Sequence, residues 1–309
     1  MKFTNRPYQN ETDYTRIRAF LRKVHLLNNR IEKSWPVARL DYWRWHVALN
    51  CQEIHDISPL IHLWEDEQGE LVAVLTPEGD NDVHIQIDPR YQSMALETEM
   101  ITLAEEKQSL RSKSGNEKLF VWVDDPNPIR TEILTLRGYQ AHTSIEHQHY
   151  RDLTQPLPPT PQTPGYIIRS LGGIEELPSR SWASWRAFHP NSPDEEYEGW
   201  EWYLNIQRCP LYRRDLDIIA EAPDGSVAAF CTLWYDDVTQ TGYFEPVGTV
   251  PEHQQRGLGK TMMIEAMRRL KNMNGLVAMV GGYSPAANAL YGSVVSPDEY
   301  LMIPWVKEL

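Results

Sequence analysis

Residues Gln254 to Gly259 read Gln-Gln-Arg-Gly-Leu-Gly, between an apolar strand-like stretch, Val247 to Val250, and a helical pattern from Lys260 to Lys271. Two glycines let a backbone pass close to an anion. The first N–H groups of the following helix then point at that anion, with the positive end of the helix dipole behind them. The turn therefore reads as a phosphate cradle formed by Gln254, Gln255, Arg256, Gly257, Leu258, Gly259 and Lys260. A P-loop, G-x-x-x-x-G-K-[ST], shares the tail Gly259-Lys260-Thr261, but its first glycine would fall on Gln254. A dinucleotide fingerprint needs another glycine spacing and an acid after the next strand, and Gly275 to Val280 ends without one.

Val250-Pro251-Glu252, followed by Q-x-x-G-x-G and a helix, resembles motif A of the GNAT acyltransferases. The run Ser284-Pro-Ala-Ala-Asn-Ala-Leu-Tyr291 resembles their motif B, N-x-x-A-x-x-L-Y, with Ala287, Leu290 and Tyr291 matching. Ser284 stands in the Asn position, Asn288 comes four residues later on the same helix face, and Val294-Val295 replace the usual closing Gly-Phe. The resemblance implies acetyl-CoA as cosubstrate, its diphosphate on the turn and its pantetheine arm along Gly248, Thr249 and Val250. There the strand Tyr243 to Val250 would splay from a parallel neighbour. Asn288 is carried over as a further cofactor contact and Tyr291 as the donor of a proton to the departing thiolate.

Acyl transfer to an amine requires a neutral amine, a stabilised carbonyl oxygen and a protonated leaving group. Glu245, a carboxylate among aromatics in a strand, suits the proton acceptor, because burial raises a carboxyl's pKa toward neutrality. The competing readings are an ion-paired or solvated Glu245 and an ordinary buried helix Tyr291. Trp182, Trp185, Trp200 and Trp202 fall where an acceptor cleft would lie, as core or as aromatic walls for a cationic amine. Ser192-Pro193-Asp194-Glu195 reads as a helix capping box, which accounts for the acids by helix stability alone. His147 and His149 share a strand face without a third ligand nearby, so no metal is expected.

A formal net charge of −13 argues against counterion-release binding to nucleic acid and against adsorption to anionic lipid. Three dispersed cysteines indicate neither a disulfide framework nor a zinc ribbon. No apolar run reaches the ~18 residues that span a bilayer, and the first residues lack a signal peptide's apolar stretch. A cytoplasmic location, a small-molecule amine partner and a monomer or homodimer are the expectations.

These groups must be positioned by strands and helices, and the chain presents two such sets. Residues 154 to 165 hold five prolines, so 153–165 reads as an extended linker between domains 1–152 and 166–309. Hairpin-like runs surround Gln68-Gly69-Glu70 and Asp224-Gly225-Ser226. Aligning Pro89 with Pro251, an offset of 162, places Gln92 on Gln254, Ala95 on Gly257 and Glu97 on Gly259. Repeated order of elements indicates duplication. The expected fold is α/β, two tandem GNAT-like domains, each a mixed, mostly antiparallel sheet flanked by helices; the architecture resembles the two-domain mycothiol synthases. The N-terminal copy lacks both glycines, and Glu97 would oppose a diphosphate, so this copy is read as degenerate, with a structural or second binding role. The expected function is transfer of an acetyl or short acyl group from acetyl-CoA to a primary amine by direct attack, no cysteine lying at the expected centre. The alternative is a catalytically inactive acyl-CoA-binding regulatory protein.

Overall fold

The computed structural model describes residues 2–79, 81–107 and 118–309. The first elements are β1 (Thr4–Pro7), α1 (Glu11–Leu27), α2 (Val37–Tyr42), β2 (His62–Glu65), β3 (Leu71–Thr76) and β4 (Asp82–Ile87). They continue as α3 (Met94–Lys107), β5 (Lys118–Asp125), α4 (Pro128–Leu136), β6 (Gln140–Ala141) and β7 (Glu146–Asp152). Helix α1 shows the local logic. Asn10 accepts a hydrogen bond from the Thr12 N–H at 2.9 Å, acids occupy the first turn, and Tyr14, Ile17, Leu21 and Val24 form a buried stripe.

The second set comprises β8 (Ile167–Ser170), α5 (Leu177–Phe188), α6 (Tyr203–Gln207), β9 (Asp217–Glu221), β10 (Val227–Asp236) and β11 (Thr241–Thr249). It ends with α7 (Leu258–Asn272), β12 (Val277–Gly282), α8 (Pro285–Val294) and β13 (Glu299–Glu308). Each set orders its strands alike: antiparallel up to β4 or β11, then one parallel pair, β4 with β5 and β11 with β12. Both parallel pairs come apart after two or three residues, Asp82–Val83 in the first and Thr241–Tyr243 in the second. The two hairpins are closed alike, Asp66 N–H on Glu70 O and Ala222 N–H on Ser226 O, both at 2.9 Å.

The compact units are not consecutive halves. One is Met1–Gln148 with Tyr300–Leu309, the other His149–Glu299. Residues 301–308 of β13 run antiparallel to β5, Leu301 opposite Asp125 and Glu308 opposite Lys118, and Trp305 packs on the first core. The end of β7 lies beside β12 instead. The expected boundaries thus need correction at both ends: residues 149–152 serve the second unit and 300–309 the first. A strand needs only a matching edge, and backbone hydrogen bonds do not record which half of the sequence supplies it.

The proline-rich stretch is extended but packed, not a free spacer. Leu153, 1% exposed, donates its N–H to Leu276 O at 2.8 Å, and the Thr261 hydroxyl donates to Pro161 O at 3.3 Å. The capping-box reading of Ser192 to Glu195 is not realised either. Only a single 3-10 turn, Asp194–Glu196, forms there, without a side-chain cap.

In the first unit the opened strand pair is filled from within. The Ile87 N–H donates to the Ser34 hydroxyl at 3.1 Å and the Trp35 N–H to Gln86 Oε1 at 2.6 Å, so the α1–α2 connection sits in the splay. Behind it, buried Arg39 pairs with Glu32, Glu146 and Glu78 at 2.9, 3.0 and 2.7 Å. Glu78, Asp82 and His84 offer ligand atoms within 4.8 Å of one another, but both Glu78 oxygens are engaged by Arg39, which makes this an ion-pair network.

Candidate active site

The expected cradle forms as an uncapped turn with left-handed backbone. Gln255 and Gly257 take φ of 59° and 77°, left-handed values that alternate with Arg256 and turn successive N–H groups to one side. Helix α7 has no side-chain cap, and its first recorded bond from the turn is Thr261 N–H to Gly257 O at 3.0 Å. The N–H groups of Leu258, Gly259 and Lys260 thus lack helical acceptors and face outward. Gln254 ties the turn to β11, donating from Nε2 to Thr249 O at 3.2 Å. Gly259 is set by packing: a Cβ there would lie 3.1 Å from Leu290 of α8.

Along β11 the three expected pantetheine residues divide. Val250 N–H is spent on Ala228 O at 2.9 Å, so by strand alternation Gly248 also faces β10, while Thr249 and Val247 point their N–H groups into the splay. Gly248 is glycine because a Cβ would approach Phe230 to 2.3 Å. Val250 N–H is thereby excluded as a cofactor donor, and Val247, not singled out from the sequence, joins Thr249.

Glu245 sits in a β-bulge: Leu233 pairs with Phe244 and Cys231 with Val247, which leaves one extra residue on β11. The Trp234 indole N–H fixes this bulge on Glu245 O at 2.5 Å. The side chain is half-buried and its charge reaches Tyr291. Burial, then the Glu245 carboxylate, then Cys231 push the Tyr291 phenol well above its ordinary value, so it stays protonated. Tyr291 is 7% exposed. Helix α8 is capped by Ser284, which accepts from Ala287 N–H at 3.1 Å, so the serine does structural work in the Asn position. Asn288 turns its Oδ1 inward, buried and without a hydrogen-bond partner among the described residues, where a Gly282 Cβ would meet it at 2.3 Å.

A cysteine does lie at this centre, contrary to expectation. Cys231 is fully buried, and burial raises its thiol far above the ordinary range, which removes the thiolate a covalent acyl-enzyme would need. On the α5 side, Trp182, Trp185 and Tyr197 form a half-buried cluster with centroids 5.2 to 5.7 Å apart. Beneath it Arg180 lies 3.9 Å over Phe230 and 3.5 Å from Asp217, which also accepts from Tyr203 and Tyr212. Trp202 instead meets Tyr203 edge-on, with ring centroids 5.4 Å apart.

The "Acetyltransferase (GNAT) family" model matches residues 174–293, the segment that holds the cradle, the bulge and Tyr291. Residues 174–293 thus match a GNAT acetyltransferase domain. No curated relative matches. The fold of the whole chain is of the tandem GNAT type. It is similar to a GCN5-related N-acetyltransferase from Sphaerobacter thermophilus, TM-score 0.67 at 16% identity over 99% of this chain and 95% of that one. A tandem GNAT protein from the clavulanic acid biosynthesis pathway gives 0.65 at 13% identity over 99% and 98%. N-myristoyltransferase of Saccharomyces cerevisiae, with bound myristoyl-CoA, gives 0.58 at 13% over 99% and 80%. The reaction class is acyl transfer from an acyl-CoA, and acetyl-CoA is the cosubstrate of the GNAT family.

The N-terminal unit repeats this frame with its donors occupied. Ile87, which the 162-residue offset aligns with Thr249, gives its N–H to Ser34. Ser93 caps the start of α3 through Leu96 N–H at 3.4 Å. Glu97 is not the open repulsive charge the sequence suggested: it is fully buried and paired to Arg130 at 2.7 Å. Matching the first residues of α4 and α8, Pro128 and Pro285, puts Leu134 on Tyr291. The cleft left between Pro89, Gln92 and Arg130 holds about 230 Å³, below the ~300–1,000 Å³ of ordinary ligand sites.

Proposed function

We propose that this protein transfers an acetyl group from acetyl-CoA to a primary amine of a small molecule by direct attack in the C-terminal domain. The observation that carries the reading is the uncapped, left-handed turn at the start of α7, continuous with a splay into which Thr249 and Val247 point free N–H groups. Its donors suit a diphosphate and an amide-bearing arm, and the orphaned Asn288 Oδ1 suits a donor from that arm. When bound, the thioester supplies the activated acyl group. Glu245, directly or through water, takes the proton that the attacking ammonium must lose. One of the splay N–H groups, Val247 or Thr249, holds the carbonyl oxygen as charge develops on it. Tyr291 hands its phenolic proton to the departing sulfur as the C–S bond breaks, and the second proton that the new amide nitrogen sheds passes to solvent, which reprotonates the phenolate. The buried, protonated Cys231 supports direct attack over an acyl-enzyme. The N-terminal unit, its equivalent donors satisfied internally, takes no acyl-CoA.

Coenzyme A release measured against a panel of primary amines tests this. Amine-dependent release is expected. Saturable acetyl-CoA binding with no release for any amine would replace the reading with that of a regulatory acyl-CoA-binding protein.

A further inference from the structure

Tyr291 is braced from a direction that none of the motifs covers. The residues just before the proline-rich segment, at the end of β7, place His149 against it: the imidazole meets the phenol edge-on, centroids 6.1 Å apart at 69°. His149 is 2% exposed, and its Nδ1 lies 2.8 Å from Ser296 O, so that nitrogen carries a hydrogen and donates to the carbonyl. Two residues on, Arg151 donates to Val295 O at 2.9 Å, while Val295 gives its N–H to Tyr291 O at 2.7 Å. One strand thus fixes the last turn of α8 and the peptide after it, residues 291 to 296, through two side chains. The ring of Tyr291 thus meets His149 edge-on, while the charge of Glu245 acts on its phenol.

The choice of imidazole has a cost. Its Nε2 is buried without a hydrogen-bond partner among the described residues, 3.9 Å from Glu299 Oε2. An unsatisfied buried polar atom is destabilising, and a leucine packed on Tyr291 would not incur that cost. A leucine, however, could not pin the ring to Ser296.

We propose that His149 is a positioning residue for Tyr291: anchored on Ser296, it sets the angle from which the phenol delivers its proton to the leaving thiolate. Misplacing a reacting group by about 1 Å can cost up to ~100-fold in rate, so a side-chain anchor behind the acid has leverage that its distance from substrate conceals. The proposal rests on Tyr291 being the proton donor, and its test separates the two.

In the full chain, with an amine that supports coenzyme A release, kcat and the KM for acetyl-CoA are measured for His149→Leu, His149→Asn, Tyr291→Phe and the Tyr291→Phe/His149→Leu double variant. His149→Leu is expected to lower kcat about 10- to 100-fold with the KM for acetyl-CoA unchanged within about twofold. His149→Asn, whose Nδ2 can still donate to Ser296 O, should restore most of the rate. In the Tyr291→Phe background His149→Leu should cost nothing further, since residues acting through one group are not additive. Equal loss in both backgrounds, or unchanged kcat in His149→Leu, overturns the inference. Unchanged kcat in Tyr291→Phe rejects the underlying acid assignment instead. If His149→Leu does not fold, His149→Gln, which keeps volume but cannot place its amide on Ser296, takes its place in the cycle with the same expected outcome.

Discussion

Glu245 and Tyr291 oppose each other electrostatically, and that opposition orders their roles. With Glu245 ionised a phenolate beside it is penalised, so Tyr291 remains a neutral acid throughout the working range and contributes no alkaline limb below its raised pKa. Rate should therefore rise with pH as Glu245 and then the amine lose their protons. Glu245→Gln keeps the shape and removes both the base and the repulsion. The acidic limb of kcat/KM should vanish and the plateau fall; a lost melting temperature with an unshifted profile would demote Glu245 to a structural role. Both residues were readable as candidates because each sits within a short run, Gly242 to Thr249 or Ser284 to Tyr291. Cys231, His149 and Arg180 were not, because they reach the centre from β10, β7 and α5, and no spacing along a single element encodes those approaches.

At the scale of elements, the turn into α7 is the best-read feature, since glycine spacing and helix start are local properties. Gly257 has left-handed φ, yet a Cβ there would meet only Pro161, at 3.5 Å. Gly257→Ala should thus cost about 1–2 kcal/mol of backbone strain and leave binding largely intact. Gly257→Asp adds a carboxylate among N–H groups that the proposed function assigns to a diphosphate, and calorimetry should show acetyl-CoA affinity reduced at least ~100-fold. Equal affinities of the two variants would place the diphosphate elsewhere. The duplication was readable for the same reason as the turn, as the matched hairpins around Gly69 and Gly225 show. The capping box after Ser192 failed because its signature fixes only a first turn, and no amphipathic run follows Glu196 to extend it.

At the scale of the molecule, the exchange of β7 and β13 changes what truncation means. Deleting residues 300–309 removes the partner of β5 and the Trp305 contact from the first unit. Calorimetry should show the N-terminal transition lowered or lost, and a single unaltered transition would contradict the pairing. The buried network of that unit also sets a pH response. Burial, opposed by Arg39 and reinforced by Glu146, pushes Glu32 from 4.5 up to about 8. Between those values the folded chain holds a proton that the unfolded chain has lost, so stability falls as pH rises through this window. Glu32→Gln should flatten that fall, raising the melting temperature above that of the wild type at about pH 8 and leaving it nearly unchanged near pH 5. An identical pH dependence in the two proteins would remove Glu32 from the response.

The place of β13 also has a consequence for how the protein is made. Leu301 must find Asp125, 176 residues earlier in the chain. At roughly 5–20 residues per second of synthesis, β5 leaves the ribosome on the order of 10–35 s before its partner exists. For that interval the first unit carries an unpaired strand edge next to a nearly complete core, a template for pairing with the wrong chain. The N-terminal unit, although translated first, finishes folding last, and a holding chaperone has its longest opportunity there.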